Sequence, residues 1–529
     1  MTEIIMFIAV TLFVTVARYM GGFRELHMLQ QNSYQFKSHF NRAKQNHYVS
    51  YLPYVIFLCV PGLMLSPLFE MNVSGIIIKS LLIVASVITM IINKPKKFKK
   101  PFVYTARVKR MIVTFTILTI IPLIVAVFGF LNESFVTAYV TLALILCLTP
   151  LASLLSNLIN YPIEEYIRRW YINDAKKILS GMKSLNIVGI TGSYGKTSMK
   201  FYLGELLNSQ YNTLITPESY NTPMGVVKTI RMMMKSTHEI FVCEMGARHV
   251  GDIKELCDIV HPHDAIITSI GPQHLETFGK IENIISTKFE LGDAVNGKGK
   301  ILVNGDDENI KKGKTKYQNV ITYGFSDNND YKAKDISVSY KGTKFTVVSK
   351  SGEECEYETS LLGEHNVLNL LGAISYCNEK GISLSSLIIP VRRIKSVKHR
   401  LELIDGGEIC YIDDAYNSNP QGSKAALKVL SLFDDYMKIL CTPGMVELGE
   451  KQDELNFEFG KEAASACDYV ALVGKKQTEP ILKGLKENGF SEEKIFVAET
   501  LSEAIENIKS ITSDKKKMVL LENDLPDNY

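Results

Sequence analysis

Residues 191–197 read Thr191-Gly192-Ser193-Tyr194-Gly195-Lys196-Thr197, so one short turn gathers two glycines, a lysine and several hydroxyls. These residue types suit a phosphate. Glycine lets backbone amides approach an anion closely, a lysine can reach the β- and γ-phosphates, and a threonine hydroxyl can meet Mg2+. Ser198 follows directly and extends the set.

Such a turn works only between a strand and a helix. Leu185 to Ile190 is a short apolar run, as expected of a buried parallel strand. An amphipathic run begins at Thr197, so the helix amino terminus would face the phosphates. The widespread GxxxxGK[ST] spacing would require glycine at position 190, where this chain has Ile190. The segment instead fits the shorter pattern TGxxGKT.

Further segments follow in a fixed order: TPESYNTPMG (216–225), FVCEMGARHVGDI (241–253), AIITSIGPQHLETFG (265–279), TKFEL (287–291), LLGEHNVLNLLGAI (361–374), KHRLELI (398–404) and IDDAYNSNP (412–420). Together with TGSYGKT this series resembles the Mur ligase family over about residues 185 to 529. TPGMVELG (442–449) and DAYNSNP are most similar to its MurF type, which adds D-alanyl-D-alanine to a peptidoglycan precursor.

The resemblance implies an ATP-dependent amide-bond ligase working through an acyl phosphate. It implies that Thr191, Gly192, Ser193, Gly195, Lys196, Thr197 and Ser198 bind ATP, with Asn366 and Asn369 around the adenine. Those two asparagines stand three residues apart and share a helix face. Thr197, Glu244, His274 and Lys288, the last as a carbamate, would hold Mg2+. The residue types agree in part, because hard cations prefer oxygen ligands. A lone histidine would read as structural; the setting QHLE gives His274 its ligand role. Arg400 would swing onto the γ-phosphate, where a planar fork suits phosphate. One of Asp413 and Asp414, with Asp414 taken for the site, would contact the nucleotide or the incoming amine, and Asn221, Asn417 and Asn419 the substrates. The catalytic set is therefore Lys196, Lys288, His274 and Arg400, with ATP and Mg2+ as cofactors.

The amino-terminal part departs from the family. Where MurF enzymes carry a soluble domain that grips UDP, this chain is strongly apolar. Five stretches, 3–20, 51–69, 74–93, 111–131 and 135–158, are long enough to cross a bilayer. Lys and Arg crowd the loops after the first and third stretches and are absent from 70–73 and 132–134. The positive-inside rule then gives an outer amino terminus, five spans and a cytoplasmic remainder. Lys79 interrupts the third span, and two readings stand: snorkelling to the interface, or contact with a lipid-linked substrate. The carboxyl end, MVLLENDLPDNY, also lacks the KGS-like segment usual in MurF.

Composition sets outer limits. The 529 residues call for several domains, and a net charge of +3 gives no reason to expect a nucleic-acid partner. Nine scattered cysteines without a CxxC pair suggest free thiols in a reducing compartment. The expected architecture is an α-helical membrane domain (1–160), a connector helix (161–180), a mainly parallel α/β ATPase domain (181–395) and a Rossmann-like α/β domain (396–529). Residues 330–362 read as alternating strands that form a β-insert or extend the sheet. Expected partners are a cell-envelope precursor, either soluble or lipid-linked, an amino acid or dipeptide amine, and the lipid bilayer. A poly-γ-glutamate synthetase, a folylpolyglutamate synthase and an ATP-switched membrane scaffold or transport component remain alternatives. The five spans speak against the folylpolyglutamate reading, DDAYNSNP against the poly-γ-glutamate one, and the retained Lys196, Glu244, His274, Lys288 and Arg400 against a scaffold.

Overall fold

A computed structural model describes residues 2–32, 34–36, 72–94, 101–314, 316–317, 319–416, 419–446 and 448–524. They fall into two compact units, the first ending at Arg169 and the second running from Trp170 to Leu525.

The first unit is helical, with helices Thr2–Gln31, Asn72–Ile92, Ala106–Leu131 and Phe135–Cys147, and the start of Thr149–Ser180. Thr2–Gln31 and Ala106–Leu131 are each long and apolar enough to cross a membrane. Phe135–Cys147 and Thr149–Ser180 would make a third span if read as one broken crossing, since they bend by 68° at Leu148. Pro150 explains the break. It lacks the N–H that would continue the first helix, yet suits the first turn of the second. The expected span 51–69 lies outside the described residues.

This unit is apolar outside as well as within, where Val10, Val14, Leu82 and Leu142 share a core. Ile117, Ile120, Ile121, Ile124 and Phe128 are about half exposed or more, whereas Arg18, Thr119, Asn157 and Asn160 are buried. Arg18 donates to Thr119 Oγ1 at 2.8 Å and to the Ile145 carbonyl, one of the groups released near the bend. Lys79 is 5% exposed and pairs with Glu3 at 2.5 Å, its ammonium 5.6 Å from the centre of the Tyr139 ring. A buried ammonium is tolerable only with such a partner.

The second unit holds two sheets. The first has order β2-β3-β1-β4-β5-β6-β7-β8-β9, built from Asn186–Thr191 (β1), Thr213–Ile215 (β2), Ile240–Glu244 (β3), Asp264–Ile267 (β4), Ile301–Asn304 (β5), Val320–Gly324 (β6), Tyr331–Ser339 (β7), Gly342–Val348 (β8) and Glu354–Thr359 (β9). β1 to β7 pair parallel, and β8 and β9 add antiparallel, so the insert expected at 330–362 is an extension of the sheet edge. The second sheet has order β10-β11-β15-β12-β13-β14, from Glu402–Ile404 (β10), Ile409–Asp414 (β11), Met437–Thr442 (β12), Tyr469–Val473 (β13), Ile495–Ala498 (β14) and Lys517–Glu522 (β15). All its pairs are parallel except edge strand β10.

Helices cover both faces of the first sheet. One core joins Val188, Ile190 and Ile266 to Met199, Tyr202, Leu203 and Leu206, the apolar stripe of helix Lys196–Leu207. The opposite core contains Ala175, with Tyr171, Ile178 and Leu179 packed against it, so the end of Thr149–Ser180 is built into this sheet. Register then sets the site. Ile190 pairs with Glu244 on one side and with Ile266 on the other, which brings the ends of β3 and β4 beside the loop leaving β1. Crevices at the carboxyl ends of parallel strands, where the strand order reverses, are the usual ligand positions of such sheets.

Candidate active site

The loop leaves β1 through Thr191, whose buried hydroxyl donates to the Met245 carbonyl at 2.9 Å. Gly192 and Gly195 have φ of +151° and +80°. At Gly195 a Cβ would stand 2.5 Å from Asn369 Oδ1, so glycine is required there by conformation and by space. Ser193 is fixed by bonds to the Ser269 and Gly271 carbonyls. Helix Lys196–Leu207 starts immediately after, and Ser198 on its first turn lines the adjoining cleft.

Lys196 Nζ lies back on its own loop, donating to the carbonyls of Gly192 at 2.7 Å and Ser193 at 3.0 Å. Burial pushes its ammonium down to about 8, against the pull of Glu244 and with repulsion from Arg400. A lysine so desolvated gains more from an incoming phosphate than a solvated one would.

Glu244 ends β3 at 0% exposure. Its Oε1 accepts from Thr197 Oγ1 at 3.1 Å and from Asn221 Nδ2 at 3.0 Å. Its Oε2 faces Lys200 Nζ at 2.9 Å, and Lys200 also donates to the Glu218 carbonyl. Burial works against the carboxylate, but Lys200, Lys196 and the Asn221 bond together hold it below the usual carboxylate range. The sequence reading missed Lys200. The available signal was its spacing: it stands four residues after Lys196, on the same helix face.

Lys288 lies in helix Ile281–Val295 at 3% exposure. Burial, and then the charge of Lys196, drive its ammonium far below the ordinary lysine value. His274 occupies a left-handed turn (φ +54°) that opens the short helix Leu275–Phe278 after β4. The direct contacts of the site thus unite Thr197, Asn221 and Glu244, while Lys288 lies within electrostatic reach of Lys196.

A cleft of about 470 Å3 continues from the loop and is lined from both sheets, by Gly195, Ser198, Asn366 and Asn369 on one side and Arg400, Asp414 and Asn419 on the other. Asn366 is buried and satisfied internally, accepting from Tyr202 Oη at 2.8 Å and donating to the Leu362 carbonyl at 2.9 Å. Asn369, one turn on, lies under Gly195. Asn419 also has local work, since its side chain caps helix Pro420–Leu430 by accepting from the Gly422 amide at 2.9 Å. Asn417 lies outside the described residues.

Arg400 is held by an unusual backbone. His399 (φ +59°) and Leu401 (φ +45°) flank it in the left-handed region, which side chains other than glycine adopt at a cost. Two consecutive aspartates of β11 fix these neighbours: His399 Nδ1 meets Asp413 Oδ2 at 2.7 Å, and the Leu401 amide donates to Asp414 Oδ1 at 3.2 Å. The Arg400 guanidinium carbon stands 4.6 Å from the Tyr416 ring centre, and Tyr416 Oη bonds Ser219 Oγ across the cleft. Asp414 is raised to about 6 by burial, despite Arg400. Its register partner on β15 is Glu522, also on the cleft and 1% exposed. Neither Tyr416 nor Glu522 was predicted. Glu522 could be suspected only because the chain ends its last strand with LLEN instead of a KGS-like segment.

Comparison with protein families matches residues 190–377 to the Mur ligase middle domain and 399–522 to the Mur ligase, glutamate ligase domain. UDP-N-acetylmuramoyl-tripeptide–D-alanyl-D-alanine ligase of Bacillus subtilis is 34% identical over 296 residues, covering 55% of this chain and 63% of the relative. The Escherichia coli enzyme of that name is 30% identical over 295 residues, 55% and 65% respectively. The chain therefore spans a little under two thirds of these curated relatives. Among solved structures, MurF from Acinetobacter baumannii superposes with a TM-score of 0.62 at 26% identity, over 68% of this chain and 78% of that one. MurF from Thermotoga maritima, in complex with ADP, gives 0.61 at 26% identity, over 68% and 80%. With both sheets of its second unit matched in sequence and in fold, this chain belongs to the Mur ligase family.

Proposed function

We propose that this protein is a membrane-anchored, ATP-dependent amide ligase of cell-envelope precursor synthesis, of the MurF kind. The observation that carries the reading is one cleft lined by a phosphate loop from the first sheet and by Arg400 and Asp414 from the second. We read 181–395 and 396–529 as the two lobes that close on this cleft.

The acceptor carboxylate attacks the γ-phosphorus of ATP, the bond to ADP breaks, and an acyl phosphate forms. An amine then attacks the acyl carbon; the C–N bond forms, the C–O bond to phosphate breaks, and phosphate leaves. No protein nucleophile is needed, so positioning and electrostatics supply the rate. The amides from Gly192 to Thr197 and the helix behind them cradle the phosphates. Lys196 turns from its loop carbonyls to the β- and γ-phosphates, and Arg400 closes on the γ-phosphate from the second lobe. Asn366 and Asn369 flank the adenine, Asp414 borders the nucleotide, and Asn221, Asn417 and Asn419 face the substrates.

The Thr197–Glu244 pair, two oxygen donors 3.1 Å apart beside the loop, fits a hard cation. Thr197, Glu244, His274 and a carbamylated Lys288 would hold Mg2+, which would neutralise charge on the transferring phosphoryl group. Lys288 is suited to carbamylation because burial favours its neutral amine, the form that adds CO2 and releases a proton.

The outward apolar and inward polar residues of the first unit support a bilayer location. The Lys/Arg distribution puts the ligase in the cytoplasm, where ATP is. An apolar helical unit precedes the domains matched to these relatives, so we place the physiological acceptor at the membrane, as a lipid-linked muropeptide or similar carboxylate. Anchoring would aid binding by raising effective concentration. Two acceptors bearing the same peptide, one on a UDP-sugar and one on a polyprenyl carrier in lipid, test this with D-alanyl-D-alanine as the amine. A much higher kcat/KM for the lipid form is expected. Equal efficiency would leave an anchored enzyme with an ordinary soluble substrate, and no amide with either acceptor would defeat the ligase reading.

A further inference from the structure

A second cavity, of about 510 Å3, lies at the opposite end of β1 from the phosphate loop. Ile187 lines it, four residues and roughly 13 Å of strand before Thr191, so it is separate from the cleft. Its floor is apolar, with Leu179, Met182, Leu185, Ile259 and Val260. Its rim carries Lys176, Lys177, Lys183, His261 and His263, and no carboxylate lines it.

No carboxylate balances this positive charge. Among the described residues the three lysines have no acidic partner, and nearby acids are taken by other bases. Asp174 pairs with Arg231 at 2.6 Å, Asp258 with Lys254 at 2.6 Å and Asp264 with Lys380 at 2.7 Å. His263 adds a donor: its Nδ1 accepts from the Ile187 amide at 3.1 Å, so the neutral ring carries its proton on Nε2.

We propose that this cavity seats the phosphate headgroup of an anionic membrane lipid, with the glycerol and first methylenes against the apolar floor. The inference rests on the reading that the amino-terminal helices lie in a bilayer. Two observations favour a lipid over a free phosphate, beside lysines that stand on the last turns of helix Thr149–Ser180. The only tryptophan, Trp170, sits half exposed on that helix with Arg231 5.3 Å from its ring, a pairing suited to the headgroup zone. The apolar floor suits an amphiphile and offers little to a bare anion. In addition, the carboxyl ends of Asp252–Val260 and Thr149–Ser180 meet here, and helix carboxyl ends repel an anion unless lysines outweigh them.

The test is lysine acylation, followed by peptide mass spectrometry, on the full chain in lipid nanodiscs. Discs of phosphatidylcholine, discs containing phosphatidylglycerol, and phosphatidylcholine discs with added inorganic diphosphate are compared. Phosphatidylglycerol should slow modification of Lys176, Lys177 and Lys183 by about fivefold relative to Lys483, the attraction expected of one lysine near an anionic surface. Diphosphate should not. Unchanged rates would overturn the proposal and leave the lysines as partners of the two helix ends. Equal protection by diphosphate would overturn it in favour of a soluble phosphate. Alkaline carbonate extraction of native membranes separates the two readings. Release of the protein would defeat the bilayer reading and this site with it, whereas retention with unchanged acylation defeats only the site.

Discussion

The ion pair between Lys200 and Glu244 offers a sharp test of how the site is held together. Both side chains are essentially inaccessible, 0% and 1% exposed, at 2.9 Å. Lys200→Met keeps the volume and apolar stem but removes the ammonium. Glu244 is then a buried carboxylate facing methyl groups, and the Glu218 carbonyl loses its donor. Breaking one side of a buried pair costs about 3–5 kcal/mol. Thr197 and Asn221 still bond Oε1, and Lys196 still contributes attraction, so the lower end, about 3 kcal/mol, applies here. At about 2 °C per kcal/mol for a large unit, the melting temperature should fall by about 6 °C. The assay is thermal unfolding of the detergent-solubilised full chain, read as a double-mutant cycle. Lys200→Met/Glu244→Gln should recover most of the loss, because a neutral amide no longer needs the cation. A Lys200→Met protein melting with wild type, or a double variant no better than the single, would refute the claim that this pair is a buried charge contact.

Four further outcomes follow from the site. Lys196→Ala should lower acceptor-dependent ATP turnover by about 10²–10³ or more while carbonate-resistant membrane association persists; wild-type turnover would remove the loop from the mechanism. Gly195→Ala, strained at φ +80° and aimed at Asn369, should weaken ATP binding by about tenfold or more, as read by nucleotide titration. Lys288→Ala should be nearly inactive and partly restored by short carboxylic acids that occupy the vacated space; full activity without them would rule out a carbamate. For pH, Asp414 is raised from 3.8 to about 6, so the folded protein holds this proton more tightly and loses stability as pH climbs through that window. Asp414→Asn should therefore melt with wild type near pH 4 and above it beyond pH 6, and a constant difference across that range would contradict the burial of this carboxyl.

Much of this was legible because the signals were local. The strand–glycine–lysine–helix order placed the phosphate loop. The strands of 330–362 also followed from period-two patterning, which left open whether they form an insert or extend the sheet. Contacts made by register were invisible. No spacing rule tells that Ile190 lies level with Glu244, that Asp414 pairs with Glu522, or that Ser219 and Tyr416 meet across the cleft. Lys200 was missed because a lysine in an amphipathic helix reads as exposed, and only a distant partner, Glu244, makes its burial tolerable. The bend at Leu148 shows a further limit. Hydropathy sees one span over 135–158, while Pro150 divides it into two helices.

The central claim is that phosphate leaves this site by way of the acceptor's own carboxylate. It is tested most directly with a peptide acceptor whose terminal carboxylate carries 18O, incubated with the purified full chain, ATP, Mg2+ and D-alanyl-D-alanine, with the released phosphate analysed by mass spectrometry. An acyl phosphate requires one labelled oxygen in each phosphate, formed in step with the new amide. Unlabelled phosphate, or phosphate released at the same rate without acceptor, would contradict the account.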